Sequence, residues 1–286
     1  MKIGLYDVDS KIPNLPLMKL SAWHKQKGDQ VEKYSPLFHF SYDKIYASKV
    51  FFDSNKGYLR NDMIIGGSGY NLTLKLSHEI EHIYPDYDLY NCKHAMGFIT
   101  RGCIRKCGFC IVPRKEGYIR KNADLSEFCK EQEKVMLLDN NILAYENHME
   151  ELIKLQDSNK KIDFNQGLDI RLINEENANI LRKIKIWKSI RFALDDPKLI
   201  PIVEKKFVLL KNLGFSTSTF FFYVLIGYNT TEKEDFERVE FLKQYKCSIF
   251  IMPYKKTFYT QKFARWVNRM FYKYETFQEY LQGKRT

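Results

Sequence analysis

The sequence predicts an α/β fold: a partial six-unit (β/α) barrel of the TIM type, preceded by a small α/β domain. Three observations lead there. Short apolar runs recur from residue 95 to residue 254, and helix-length stretches separate them. The first 95 residues repeat that alternation on a smaller scale. Strands that alternate with helices form parallel sheets, because a parallel neighbour is reached only through a crossover.

In the N-terminal domain, 1–95, IGLYDV (3–8) reads as a buried strand ending in a polar loop. Leu17, Leu20 and Trp23 give 14–27 the period of a helix. KIYASKVF (44–51) and MIIGGSG (63–69) read as further strands, the second stopping in a glycine loop. The larger domain spans 96–255. Its strands are AMGFIT (95–100), VMLLD (135–139), KIDFNQ (161–166), SIRFALD (189–195), FFFYVLIG (220–227) and CSIFIMPY (247–254). Helical stretches lie at 145–158, 174–185, 198–213 and 231–245. Six strands in about 160 residues are too few for the closed eight-fold barrel, which takes ~250 residues. The tail, 256–286, carries Phe263, Trp266, Met270 and Tyr274 at near-helical spacing and is expected to pack back as a helix.

Hydrophobic residues at 44% and charged residues at 28% suit an ordinary globular protein with a core. No apolar run approaches the ~20 residues of a membrane helix. The opening MKIGLYDVDSKIPN sets two aspartates where a secretion signal needs an unbroken apolar region. A cytoplasmic location without a membrane partner is therefore expected. The net charge of +11 keeps RNA among the partners to weigh, but the lysines are spread along the chain with acidic residues beside them. Charge alone does not decide function.

The stretch TRGCIRKCGFCIVPRKEG (100–117) holds Cys103, Cys107 and Cys110, three of the six cysteines. It follows the AMGFIT strand directly, and barrels of this kind carry their chemistry on such loops. The crowding favours thiolates that hold a metal over a disulfide framework. Thiolates are soft ligands that select zinc or iron–sulfur clusters. A structural zinc site needs four protein ligands; Cys92, Cys129 and Cys247 are scattered, which leaves His94 as a fourth. Three thiolates on a four-iron cluster instead leave one iron open to an external ligand.

The pattern Cys-x3-Cys-x2-Cys, with Phe109 just before the last cysteine, resembles the radical S-adenosylmethionine (SAM) superfamily. The resemblance implies a 4Fe-4S cluster on Cys103, Cys107 and Cys110, its open iron chelated by the amino and carboxylate groups of SAM. It implies the same partial barrel, and a flavodoxin or ferredoxin as electron donor. It also implies a 5′-deoxyadenosyl radical that abstracts a substrate hydrogen, the cofactor carrying the difficult chemistry. By analogy with the family's strand ends, Phe109 is expected against the adenine. Asp139 and Asn140, in LLDNN, would orient the SAM ammonium, although the family's usual Gly-Gly-Glu is missing there. NQGLDIR offers Gln166, Asp169 and Arg171; Asp195 would reach the ribose hydroxyls. Backbone groups near Ile226 and Gly227 would read the adenine edge. Each polar residue in this set also suits a helix N-cap or a loop hydrogen bond.

HEIEH (78–82) matches the zinc-protease pattern H-E-x-x-H. Gly66, Gly67 and Gly69 before it and Pro85 after it leave no long helix to present both imidazoles, so surface charges on a short turn are expected. The N-terminal domain resembles the cobalamin-binding-like domain that precedes the barrel in many radical SAM enzymes. It lacks the Asp-x-His-x-x-Gly pattern, and only Cys92 stands where methylthiotransferases carry three further cysteines. A lid over the barrel mouth is the expected role.

Over its whole length the chain is similar to a compact group within the superfamily, through GLYDVDSKIPNLPLMKLSAWHKQKGD, GGSGY, IEHIYPDYDLY, GFITRGC, DFNQGLDIRL and FARWVN. Within that group it resembles a salvage carbon–nitrogen lyase that releases 7-aminomethyl-7-deazaguanine from a modified deazaguanine base. Such a base presents adjacent N–H donors, which suit a carboxylate, and a flat ring, which suits an aromatic clamp. Asp7 and Asp9, with Tyr6 beside them, and Asp196 are the substrate candidates, loop polarity being the plain alternative. The wider alternative is a radical SAM enzyme that modifies tRNA, another nucleobase or a peptide.

Overall fold

The computed structural model describes residues 1–54 and 57–283. Strand β1 (Lys2–Asp7) buries Ile3 and Leu5 on one side, while Gly4 between them lets the Tyr42 ring lie against the backbone. Helix α1 (Leu15–Gln26) begins where the Asn14 side chain accepts the Leu17 N–H, and Pro16 occupies its first turn. Strands β2 (Gln30–Lys33), β3 (Lys44–Ser48) and β4 (Ile64–Gly66) join β1 in a parallel sheet of order β2-β1-β3-β4. Ile3, Leu5, Leu17 and Leu20 form one core cluster; Val8, Ile45, Ala47 and Met63 form another. Strand β2 was not legible in the sequence, since QVEK is short and polar and none of it is buried.

A single-turn helix α2 (His78–Glu81) leads to β5 (Ala95–Gly97) and β6 (Thr100–Arg101). The short helix α3 (Val112–Lys115), strand β7 (Arg120–Lys121), helix α4 (Leu125–Phe128) and strand β8 (Lys134–Leu137) follow. Strand β5 runs parallel to β8, whereas β6 pairs antiparallel with β7. The run AMGFIT is thus two strands rather than one. The break has a cause: the N–H groups of Ile99 and Thr100 turn to the Asp139 carboxylate, and the chain leaves the first strand there.

By compactness the chain forms two units, Met1–Arg105 with Ile111–Asp139, and Lys106–Cys110 with Asn140–Thr286. The sequence reading sets its boundary at 95/96 instead. Residues beyond 95 are tied to the first unit by specific bonds. The Tyr87 hydroxyl accepts the Met96 N–H at 3.0 Å and donates to the Phe128 carbonyl at 2.6 Å. Arg101 pairs with Glu81 at 2.6 Å, and Glu81 in turn pairs with Lys19 at 3.0 Å.

The second unit continues the alternation: α5 (His148–Asp157), β9 (Lys161–Phe164), α6 (Glu175–Lys183), β10 (Lys185–Ile186), β11 (Ile190–Ala193), α7 (Ile200–Asn212) and β12 (Phe220–Ile226). Helix α8 (Glu232–Gln244), β13 (Ser248–Pro253), α9 (Phe258–Asn268) and α10 (Phe277–Gln282) complete it. Strands β9 and β10 are parallel, as are β11, β12 and β13. The protein is therefore mixed α/β with parallel sheets. Phe220, Phe222, Val224 and Ile226 alternate along β12 as one buried row, and the Phe207 ring of α7 packs on Phe220 and Phe222. The tail is two helices, not one. Met270 adopts a left-handed backbone (φ 60°) that ends α9, and Met270 and Tyr274 are exposed while Phe263 and Trp266 are buried.

One fully buried cation holds the strand ends of this unit. The Arg238 guanidinium donates to the carbonyls of Leu194 (3.0 Å), Asp195 (3.0 Å) and Leu225 (2.9 Å), and it pairs with Asp235. These carbonyls lie at the C-terminal ends of β11 and β12, so a residue on α8 sets the spacing of two loops. Removing the cation leaves the buried Asp235 carboxylate without its counter-ion, though still bonded by the Thr230 and Tyr259 hydroxyls, and takes a donor from three carbonyls. Arg238→Ala is expected to lower stability by about 3–5 kcal/mol, measured by urea denaturation followed by circular dichroism.

Candidate functional site

The cysteine loop leaves β6 under tight backbone control. Gly102 has φ 89°, and a Cβ there would collide with the Tyr118 carbonyl, so only glycine fits. The Cys103 N–H donates to the Gly117 carbonyl at 3.2 Å, and its Sγ accepts the Arg105 N–H at 3.3 Å. Arg101 donates to Glu81, Glu116 and Asn122, and its guanidinium lies 3.8 Å from the centre of the Phe98 ring. Burial alone would raise the Glu81 carboxyl, yet Lys19 and Arg101 hold it below its ordinary value. Burial holds the Lys19 ammonium below its own.

HEIEH faces solvent only in part: His78 and Glu79 are exposed, as expected of a short surface turn. Glu81 is an inward ion-pair anchor, and His82 bonds Glu127 at 2.7 Å. The His78 and His82 rings do meet, 4.4 Å apart, on a helix of one turn, as the short-turn expectation had it.

Asp139 is buried at the end of β8. Its carboxylate accepts the Thr100 N–H (2.5 Å), the Thr100 hydroxyl (2.7 Å) and the Ile99 N–H (3.1 Å). Burial pushes the carboxyl up to about 6 even against those hydrogen bonds. The sequence reading offered Asp139 to a ligand ammonium. Its oxygens are instead engaged by the backbone that launches the cysteine loop. Asn140 beside it is half-buried.

In the second unit, Cys107 and Cys110 bracket a turn closed by the Cys110 N–H on the Cys107 carbonyl at 3.0 Å. A Cβ on Gly108 would collide with the Tyr228 hydroxyl. The Phe109 ring stands 5.5 Å from Tyr228 at 74°, and Tyr228 stands 4.9 Å from Tyr254 at 75°. Aromatic edges prefer such near-perpendicular contacts. Tyr228 follows Gly227, whose φ of 72° swings the chain away from β12. Sequence reasoning passed over Tyr228; the signal was an aromatic directly after the glycine that ends the longest apolar strand.

The remaining candidates of this unit have structural bonds. The Asp195 Oδ1 accepts the Leu225 N–H at 2.9 Å; burial raises its carboxyl, with Arg238 and Arg171 pulling the other way. The Ile226 carbonyl accepts the Tyr254 N–H at 2.9 Å. Asp169 binds Arg171 through both oxygens, at 2.6 and 3.0 Å, and the buried Asn141 reaches it at 3.5 Å. Gln166 is exposed. Asp196 is exposed too and caps the turn Pro197–Leu199 through the Lys198 N–H, the plain alternative given for it.

The substrate candidates of the first unit are likewise engaged. Tyr6 accepts the Tyr58 N–H at 3.2 Å, and its ring lies 5.1 Å from Tyr34. Asp7 accepts the Ser10 N–H and the Tyr90 hydroxyl, at 3.1 and 2.7 Å. Asp9 accepts the N–H groups of Val50 (2.7 Å) and Phe51 (3.1 Å), fastening the loop after β3.

All six cysteines are thiols, none in a disulfide; Cys103, Cys107 and Cys110 are half-buried, whereas Cys129 and Cys247 are buried. Burial pushes the Cys247 thiol up to about 12, which makes it inert at neutral pH. Among the described residues, no three His, Cys, Asp or Glu side chains converge as they would around a single ion. Cysteine thiols are the donors that iron–sulfur clusters take, and one in this loop, the Cys103 Sγ, accepts the Arg105 N–H. No helix among the described residues is long and apolar enough to cross a membrane. No protein-family model matches the chain, and neither does any curated protein.

The elevated Asp139 carboxyl sets a pH dependence. Folded Asp139 binds its proton more tightly than unfolded Asp139, so its contribution to stability is complete below pH ~4 and is lost as pH rises through about 6. The loss amounts to about 3 kcal/mol, at 1.36 kcal/mol per pKa unit. Asp139→Asn is expected to flatten that slope while costing about 1–3 kcal/mol at pH 4 through lost acceptors. Urea midpoints between pH 4 and 7 check both.

Proposed function

We propose that this protein is a radical SAM enzyme, and within that class a queuine lyase cleaving the carbon–nitrogen bond of queuine to release 7-aminomethyl-7-deazaguanine. The observation that carries the class is the loop CIRKCGFC: three half-buried thiols at the superfamily's spacing, with Phe109 seated on Tyr228. Cys103, Cys107 and Cys110 would hold a 4Fe-4S cluster. With SAM bound, such a cluster would supply one-electron reducing chemistry.

The chain's own residues do the rest. Gly102, Arg101 and Asp139 fix where the loop starts, and Gly108 fits under Tyr228, so the thiols stand on a backbone with little freedom. Phe109 and Tyr228 offer an apolar edge suited to a nucleobase. Arg238 keeps the ends of β11 and β12 at constant spacing, the precondition for holding a reacting C–H bond within reach. We read the parallel strand–helix repeats as the superfamily's partial barrel, the N-terminal sheet as its cobalamin-domain-like unit, and a flavodoxin or ferredoxin as the electron donor.

A second reading, action on tRNA or another nucleobase or peptide, draws on one observation. The stretch 101–121 carries Arg105, Lys106, Arg114, Arg120 and Lys121, besides Arg101 and Lys115, which are engaged by Glu116. Polyanions bind such segments.

Anaerobic reconstitution with iron and sulfide is expected to give a brown protein holding four irons per chain in the superfamily's manner, and Cys107→Ala to abolish it. With reductant, SAM and queuine, mass spectrometry should show 5′-deoxyadenosine together with 7-aminomethyl-7-deazaguanine. 5′-Deoxyadenosine without that base rejects the substrate and retains the class. Turnover of intact tRNA alone selects the second reading. Stoichiometric zinc without iron rejects the class.

A further inference from the structure

Parallel sheets ordinarily carry cover on both faces. The β11–β12–β13 sheet is closed on one face by Phe192, Phe222, Ile249, Val224 and Ile251, all buried. Its other face carries two registered rows, Arg191–Phe221–Ser248 and Ala193–Tyr223–Phe250. Ala193, Ser248 and Phe250 on these rows are exposed, Phe250 by 41%, while Phe221 and Tyr223 are half-buried. The Phe221 and Phe250 rings lie 6.3 Å apart at 25°, and Tyr223 meets each of them nearly edge-on. Ala193, small and next to Tyr223 in its row, leaves a step beside that ring.

Charge borders the aromatic rows at one side. Asp163 of β9 is fully buried and pairs with Arg191 and, at 3.2 Å, with Lys188. The contact with Lys188 lacks hydrogen-bond geometry, so Asp163 Oδ2 accepts no hydrogen bond. Asp163 thereby fixes where two cations stand, and Lys188 keeps 42% of its side chain in solvent. Open aromatic faces with the part-exposed Lys188 ammonium at one margin match a flat heteroaromatic ring that carries a carbonyl oxygen on its edge. A hydrocarbon partner would leave the solvent-facing part of the Lys188 ammonium without an acceptor, and a polyanion would leave the rings unanswered.

We infer that this face binds the base, stacking it on Phe250 and Tyr223 with its ring carbonyl toward Lys188, while the buried Arg191 holds Asp163 in place. The inference rests on the queuine reading for the identity of the base, though not for the wall itself. It moves substrate recognition from Asp7 and Asp9, whose oxygens are occupied, to the second unit.

Isothermal titration of the full chain as purified, with queuine, guanine and S-adenosylhomocysteine as probes, tests it. Phe250→Ala and Lys188→Met should each weaken queuine about tenfold, within the range of a lost base–aromatic stack. S-adenosylhomocysteine affinity and the melting temperature should stay unchanged, and Phe40→Ala, an exposed aromatic elsewhere, should behave as wild type. Equal queuine affinity in wild type and Phe250→Ala overturns the inference and leaves the queuine reading standing. Loss of S-adenosylhomocysteine instead of queuine also overturns it. Binding of guanine but not queuine, lost in Phe250→Ala, keeps the wall and rejects the queuine reading. A wild-type chain that binds no flat base overturns both.

Discussion

The bond from the Asp139 carboxylate to the backbone of Ile99 and Thr100 is the constraint on which the site depends. A buried carboxylate that accepts two consecutive N–H groups and a hydroxyl dictates the direction of the chain at that point. It stops β5, starts β6 and places Arg101, whose guanidinium then gathers Glu81 and Glu116. Cys103 emerges two residues later with no choice of path. The arrangement keeps a carboxyl in an environment that resists its ionisation. Such expense is typical of positions that serve geometry more than stability.

The second unit solves a comparable problem with the opposite charge. Arg238 draws together the carbonyls at the ends of β11 and β12, and Asp235 balances it. In both units a buried ion sits where regular hydrogen bonding ends, so the loops that follow inherit fixed starting points. The aromatic line Phe109, Tyr228 and Tyr254 grows from one such point.

Elements with strong apolar alternation were legible in the sequence. β1, α1, β12 and α8 stand within two residues of their expected spans, because burial dictates both the period and the element. The polar β2, the two-residue β6, β7 and β10, and the break in AMGFIT were not, since each is held by long-range partners that leave no local period. The cysteine spacing was plain to read. The occupations of Asp7, Asp9, Asp139 and Asp195 were hidden, because an aspartate at a strand end looks the same in sequence whether it meets a ligand or a backbone N–H. Glu81 shows the converse: a residue in a decoy pattern became an interior charge through Lys19 and Arg101, one of them distant in the chain.

The seating of Gly108 beneath the Tyr228 hydroxyl has an evolutionary consequence. Two sites far apart in the chain meet at one point, so what position 108 can carry depends on the residue at 228. A side chain at 108 would have to displace the Tyr228 hydroxyl, the far end of a side chain, to fit. Shrinking the aromatic at 228 would remove that contact, which couples the two letters through a single oxygen atom.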